Sequence, residues 1–195
     1  MVSTSLETMT KMKVEIEGEF EATDQGEPKL LLGIEISCDQ QTHSITISQG
    51  QYIHKCLQCF NMANSGVNSV PIQPGIKFNP TTEDNKFSNP SIYHAAIGSL
   101  LYAAIAMRLD ISYMVMQLAQ FSANPSTIHW NAVKYLFKYL QGTKNLGITY
   151  DAVGGKAKIH VTGFSDADWA SNPFDQKSIS GTTFLLSGGA IIWSS

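Results

Sequence analysis

The sequence predicts an α+β protein: a short hairpin, then a run of helices, then a partial mixed sheet. Three observations carry that expectation. Residues 29–37 and 44–48 are rich in β-branched and apolar residues, the second run alternating with period two. Four segments between residues 50 and 142 carry apolar residues at helical spacing or open on helix-cap signals. Strand-like runs return after Gly147. The expected units are therefore 1–48, 49–147 with a loop at 61–90, and 148–195.

Lys29-Leu-Leu-Leu-Gly-Ile-Glu-Ile-Ser37 reads as one strand around Gly33, and Asp39-Gln-Gln-Thr-His43 is polar enough for the hairpin loop that leads to residues 44–48. Ile53, Cys56, Leu57 and Phe60 fall at i, i+3, i+4 and i+7, one apolar stripe of a helix. Residues 61–90 hold four prolines and no periodicity, which suits either an ordered connection draped over another surface or a linker. Asn89-Pro90 places a cap and a first-turn proline at the start of a helix that reaches about Met107. Asp110 is a candidate cap for a second helix to about Phe121. Asn124-Pro125 opens a third, whose broad buried side carries Trp130, Val133, Tyr135, Leu136, Phe137 and Leu140 and which Gly142 ends. Strands are expected at 148–150, 158–164, 181–186 and 190–193, with turn signals at Gly154-Gly155 and Ser187-Gly188-Gly189.

Composition narrows the function. Net charge is −3, and only one of the thirteen basic residues, Arg108, is an arginine. Bidentate phosphate and base recognition favours arginine, so this is a poor composition for a free-standing nucleic-acid binder. Five lysines against Asp151 alone mark residues 129–158, a solvated face before it is anything else. No apolar leader opens the chain, and the longest apolar run, 95–107, is too short to span a bilayer. A soluble, reduced, intracellular protein, cytoplasmic or nuclear and without membrane contact, is the expectation. Cys56-Leu-Gln-Cys59 has zinc spacing but lacks a second ligand pair, so core packing is the better account.

One segment carries chemistry. In Gly163-Phe-Ser-Asp166-Ala-Asp168-Trp-Ala170 two carboxylates sit two apart at the end of an apolar strand. Paired oxygens of that kind begin a site for a hard divalent ion, although Asp-x-Asp after a strand is also common turn chemistry.

This segment, with Asp175-Gln-Lys-Ser-Ile-Ser-Gly181 and Gly188-Gly-Ala-Ile-Ile-Trp193, resembles the start of the ribonuclease H domain of copia-type retrotransposon polyproteins. Upstream, Tyr93-His-Ala-Ala-Ile-Gly-Ser-Leu-Leu-Tyr102, Arg108-Leu-Asp-Ile111, His129-Trp130 and Tyr139-Leu-Gln-Gly-Thr143 are similar to the helical segment that joins reverse transcriptase to that domain. Leu31-Leu-Gly-Ile-Glu-Ile36 and Ile47-Ser-Gln-Gly-Gln-Tyr52 are similar to the closing palm strands and the thumb entry. Two departures stand out: Leu109 and Gln176 replace the family's usual proline and basic residue.

The resemblance implies a palm end at 1–48, a thumb and connection at 49–147, and the first part of a ribonuclease H-like domain at 148–195. It implies that the parent copies RNA into DNA and hydrolyses the RNA strand of the hybrid. Its partners would be primer-template or RNA/DNA hybrid and the remaining polymerase and ribonuclease H segments. Asp166 would be the first magnesium-binding, catalytic carboxylate, with Asp168 beside it as a possible second. Gly33 would lie in the strands that position a primer end, and Lys134 and Lys138 would track the duplex backbone. The polymerase Tyr-x-Asp-Asp motif and the later ribonuclease H carboxylates are not among the 195 residues. The expectation is thus a chain inactive by itself, with weak magnesium binding or none. The alternative is a degenerate, non-catalytic binding or scaffold domain.

Overall fold

The computed structural model describes residues 5–151, 160–168 and 178–194. Its helices are α1 (Leu6–Glu19), α2 (Gly50–Cys59), α3 (Pro90–Ala106), α4 (Leu109–Ala119) and α5 (Thr127–Gly142). Its strands are β1 (Leu30–Leu31), β2 (Ile34–Asp39), β3 (Ser44–Ser48), β4 (Gly147–Asp151), β5 (Val161–Asp168), β6 (Ile179–Leu186) and β7 (Gly189–Ser194). They form two antiparallel sheets, β1-β2-β3-β4 and β5-β6-β7. The architecture is α+β. Among the described strands every pairing is antiparallel, in place of the mixed arrangement expected for the second sheet.

The core lies among α2, α3, α4 and α5. Ile53 and Leu57 of α2, Leu100 of α3, Ile111 and Leu118 of α4, and Leu136, Phe137 and Leu140 of α5 are all buried in one cluster. Each such side chain contributes roughly 1.5–3 kcal/mol by leaving water, and most of the buried apolar side chains among the described residues belong to this cluster. The apolar stripe of α2 faces this core with Cys56 half-buried against it, while Cys59 is exposed. Asn89 caps α3 as its sequence implies, accepting from the Ile92 N–H at 3.2 Å.

Two helix starts differ from the sequence expectation. Asp110 lies inside the first turn of α4 and makes no cap; it pairs with Arg108 instead. The third helix opens on Ser126 rather than Asn124-Pro125. The Ser126 hydroxyl accepts from the His129 N–H at 3.3 Å, and the Ser126 N–H donates to His129 Nδ1 at 3.0 Å. This capping box needs a neutral imidazole, and burial holds the His129 pKa below its ordinary value, with partial opposition from the Asn79 backbone. A depressed histidine pKa means the native state binds the proton less well than the unfolded chain does. The contribution of His129 is therefore complete above about pH 6.5, the unfolded value, and drains away as pH falls through the folded one. The thermal midpoint should drop on acidification from pH 7.5 to 5.5, and more steeply than in His129→Asn. Equal slopes in the two proteins would remove His129 from the account.

The 61–90 connection is ordered and draped over α5. Asn68 donates from its N–H to the Lys138 carbonyl and from Nδ2 to the Tyr135 carbonyl, and Gln141 Nε2 donates to the Ala63 carbonyl. Further on, Lys86 bridges to Ser126.

Helix α1 was not legible in the sequence, and none of its residues is buried. The 29–37 segment is also not one strand. It folds back at Leu32–Gly33, so that Leu31 pairs with Ile34 and Leu30 with Glu35. The third difference is long-range. Strand β4 follows the expected 147/148 boundary, yet it pairs with β3 from Ser44–Asp151 to Ser48–Gly147.

Strand β4 also ties the two sheets together. The Tyr150 hydroxyl donates to the Ala190 carbonyl at 2.7 Å, and the Asp151 N–H donates to the Ser187 carbonyl at 3.1 Å. The Tyr150 ring lies so close to Gly189 that a Cβ there would meet it at 2.4 Å, so only glycine fits. On the helical side, Trp193 Nε1 donates to the Ala104 carbonyl of α3 at 2.9 Å. Val161, Phe184 and Ile192 of the second sheet remain exposed.

Candidate nucleic-acid interface

Among the described residues two hairpin turns hold consecutive positive-φ residues, Ser187–Gly188 between β6 and β7 and Leu32–Gly33 at the β1–β2 tip. Of the two-residue turns whose twist suits a hairpin, the type I′ form needs positive φ at both central positions. Leu32 and Gly33 supply it at +50° and +78°. Glycine adopts this region freely; leucine pays about 1–2 kcal/mol for it. Leu32 gains nothing by burial, being 82% exposed, and Leu30 and Leu31 are exposed as well. A strained, projecting, apolar tip is kept only if the surrounding structure enforces it.

That enforcement comes from the helices. The Tyr102 hydroxyl on α3 donates to the Leu32 carbonyl. The Tyr102 ring meets the Tyr52 ring of α2 edge-on, centroids 4.8 Å apart at 63°, and the Tyr52 hydroxyl donates to the Ser99 carbonyl at 3.0 Å. Burial raises the Tyr52 pKa, so it remains a donor at any physiological pH. Below the tip, Glu35 ties β2 to the start of α2. Its carboxylate accepts from the Gln51 N–H at 3.2 Å, from Gln51 Nε2 at 2.9 Å and from the Ser48 hydroxyl at 3.3 Å. It thus serves the helix N-terminus in place of Gln49, whose side chain makes no cap bond. Gly33 was singled out in the sequence; Tyr102, Tyr52 and Glu35 were not, because their contacts exist only once α2, α3 and the hairpin pack.

Lys134 and Lys138 lie one turn apart on α5, both partly exposed, so they share a face of that helix. The hollow beside β2 and β3 carries Glu27 and Glu35 with Lys29, a poor lining for phosphate. Any contact of the hairpin with a polyanion would thus rest on the main chain at its tip.

Asp166 lies on β5, paired with Gly181. It is exposed, and its Oδ1 accepts from the Ala167 N–H at 2.9 Å. With Phe164, Gly181, Thr183 and Ser194 it lines a shallow cleft of about 220 Å³. Strand β5 extends through Asp168, whose side chain lies outside the described residues, as do Asp175, Gln176 and Lys177. Among the described residues no group of three or more histidine, cysteine or acidic side chains is placed to hold a metal. Magnesium takes six oxygen ligands in near-octahedral geometry, and one exposed carboxylate does not fit that demand. Gly33, the α5 lysines and Asp166 thus sit on three separate elements. Among the described residues no helix is long and apolar enough to cross a membrane.

No protein-family model matches the chain, and no solved structure does. Curated proteins do. The chain is 34% identical over 192 residues to the retrovirus-related Pol polyprotein from transposon TNT 1-94 of Nicotiana tabacum, a match covering 96% of this chain and 14% of that protein. It is 35% identical over 176 residues to the corresponding polyprotein from transposon RE1 of Arabidopsis thaliana, covering 90% of this chain and 12% of that one. It is also 38% identical over 103 residues to the secreted RxLR effector protein 161 of Plasmopara viticola, covering 53% of this chain and 70% of that one. The chain thus spans about one seventh of the first polyprotein and still less of the second.

Proposed function

Because this chain belongs to the family of retrovirus-related Pol polyproteins of copia-type transposons, we propose that it is the segment that grips nucleic acid beside the polymerase and hydrolytic centres of a longer protein. In this reading residues 1–48 end a reverse transcriptase palm, 49–147 form a thumb and connection, and 148–195 begin a ribonuclease H-like domain. The pairing of β4 with β3 joins the start of the third of these units to the end of the first. The parent would copy RNA into DNA and cleave the RNA strand of the hybrid.

The observation that carries the reading is the hairpin tip: a left-handed Leu32–Gly33 pair, projecting from the sheet and fastened to the helices behind it. Main chain at a glycine approaches a sugar–phosphate backbone more closely than any side chain permits. Lys134 and Lys138 add point-charge contacts to the duplex. Asp166 would supply one carboxylate to a magnesium site that further segments complete.

Binding to an RNA/DNA hybrid should weaken with salt, because each neutralised phosphate releases counterions. Lys134→Ala/Lys138→Ala should flatten the slope of log affinity against log salt by roughly two contacts, about 1.8 on the duplex scale. Fluorescence anisotropy from 50 to 200 mM salt measures it. An unchanged slope would take these lysines out of the interface.

A further inference from the structure

We infer that Tyr102 is a positioning residue for the hairpin tip: its hydroxyl, braced by Tyr52, holds the Leu32–Gly33 main chain in the form that meets a recessed primer end. The inference rests on the nucleic-acid reading above and adds to it the group that sets the geometry of the contact.

Leucine at φ +50° is unfavourable by itself, and Leu32 is too exposed for packing to compensate. The tip has one described anchor outside its own sheet, the hydrogen bond from Tyr102 to the Leu32 carbonyl. That carbonyl belongs to the peptide joining Leu32 to Gly33, so fixing it fixes the plane of the peptide unit at the apex. Gly33 lies directly against the donor; a Cβ built there would come within 3.8 Å of the Tyr102 hydroxyl oxygen. The donor is itself constrained, since the edge-on Tyr52 ring limits where the Tyr102 ring can lie and Tyr52 is tied to Ser99, one turn before Tyr102 on α3. Hydroxyl, ring and helix thus form one brace running from the helical core to the apex of the hairpin. Strand β1 is a two-residue edge strand paired with β2 alone, so without the brace the tip would sample other turns.

Tyr102→Phe is the informative substitution because it keeps the ring and its contact with Tyr52 and removes only the donor. In the full chain, amide hydrogen exchange at Leu31 and Ile34, the pair that closes the turn, should quicken by about three- to tenfold, the range one neutral hydrogen bond is worth. Exchange across α3 and α5 and the thermal midpoint should be unchanged. Anisotropy with a labelled DNA primer on an RNA template should show a preference for a recessed 3′ end over a blunt hybrid of equal length. Tyr102→Phe should reduce that preference by a similar three- to tenfold factor, and Gly33→Val should abolish it. A merely structural role would instead lower the midpoint and weaken both substrates equally.

Unchanged exchange at the tip in Tyr102→Phe would overturn the brace. So would a preference that Gly33→Val removes and Tyr102→Phe leaves intact, and in that case the primer-end reading survives. A wild-type chain that binds blunt and recessed hybrids alike would overturn the primer-end reading itself and this inference with it.

Discussion

Arg108→Ala is expected to destabilise the chain by about 3 kcal/mol, the lower end of the range for breaking a buried ion pair from one side. For a protein of this size that lowers the thermal midpoint by roughly 6–12 °C. The guanidinium is 2% exposed and uses three of its nitrogens. Nε and one terminal nitrogen donate to the two Asp110 oxygens at 2.9 and 2.7 Å. The terminal nitrogens also donate to the Thr143 carbonyl at 3.0 Å and the Thr143 hydroxyl at 2.7 Å. The Tyr139 hydroxyl completes the network with a 2.7 Å bond to Asp110. Removing the arginine strands Asp110 and the end of α5 together, hence the large effect. Lysine cannot reproduce the fork and should rescue little. Arg108→Met with Asp110→Leu should lose much less, since neither charge is left alone.

The pH dependence of that network has a definite sign. Burial of Asp110 works to raise its pKa, but the bonds from Arg108 and Tyr139 prevail and hold it below the ordinary value. Its contribution is thus present above about pH 3.9, the unfolded value, and is lost as pH falls through the folded one. Urea titrations of wild type and Arg108→Ala at pH 7 decide the matter; a difference under 1 kcal/mol would show that the network is ornamental to stability.

The largest effect on activity is expected at Asp166, in the longer polyprotein. Two-metal hydrolysis of a phosphodiester depends on carboxylates that hold both ions. If the chain is joined to the ribonuclease H segments of the proposed reading, Asp166→Asn should depress cleavage of labelled hybrid RNA by more than the roughly 10–100-fold that losing an outer-shell partner costs. Asp168→Asn should be milder. The 195-residue chain alone should not cleave, given that its described donors do not form a magnesium site. Undiminished cleavage by Asp166→Asn would move the metal site elsewhere without disturbing the family assignment.

What the sequence revealed followed from how local each signal was. The α2 stripe, the Asn89 cap and the existence of β3 are written within one or two turns of chain, and the structure bears them out, although β3 does not bury alternate residues. Helix α1 escaped because it buries nothing, so no apolar face announces it, and Thr8, Thr10, Val14, Ile16 and Gly18 weaken its intrinsic helix preference. The turn at Leu32–Gly33 escaped because leucine argues against positive φ; the bond that tolerates it comes from Tyr102, seventy residues away. Arg108 looked like the polar end of an apolar run, and its partners at Tyr139 and Thr143 become neighbours only when α4 packs on α5. Gly33 and Asp166 were candidates through the resemblance and Lys134 and Lys138 through a lysine-rich stretch, whereas the residues that orient the hairpin carry no such local signal.

The pairing of β3 with β4 has a consequence for biosynthesis. Thr46 and Thr149 share a hydrogen bond across 103 positions of sequence. At about 5–20 residues per second, the ribosome needs roughly 5–20 s to deliver the second partner after the first. Throughout that interval β3 presents an open edge, a template for pairing with any other extended chain in reach. The four-helix core, whose contacts are nearer in sequence, is complete once α5 emerges, just before β4 itself. Chaperone dependence should therefore concentrate in nascent chains arrested between residues 48 and 147 and subside once Asp151 has cleared the exit tunnel.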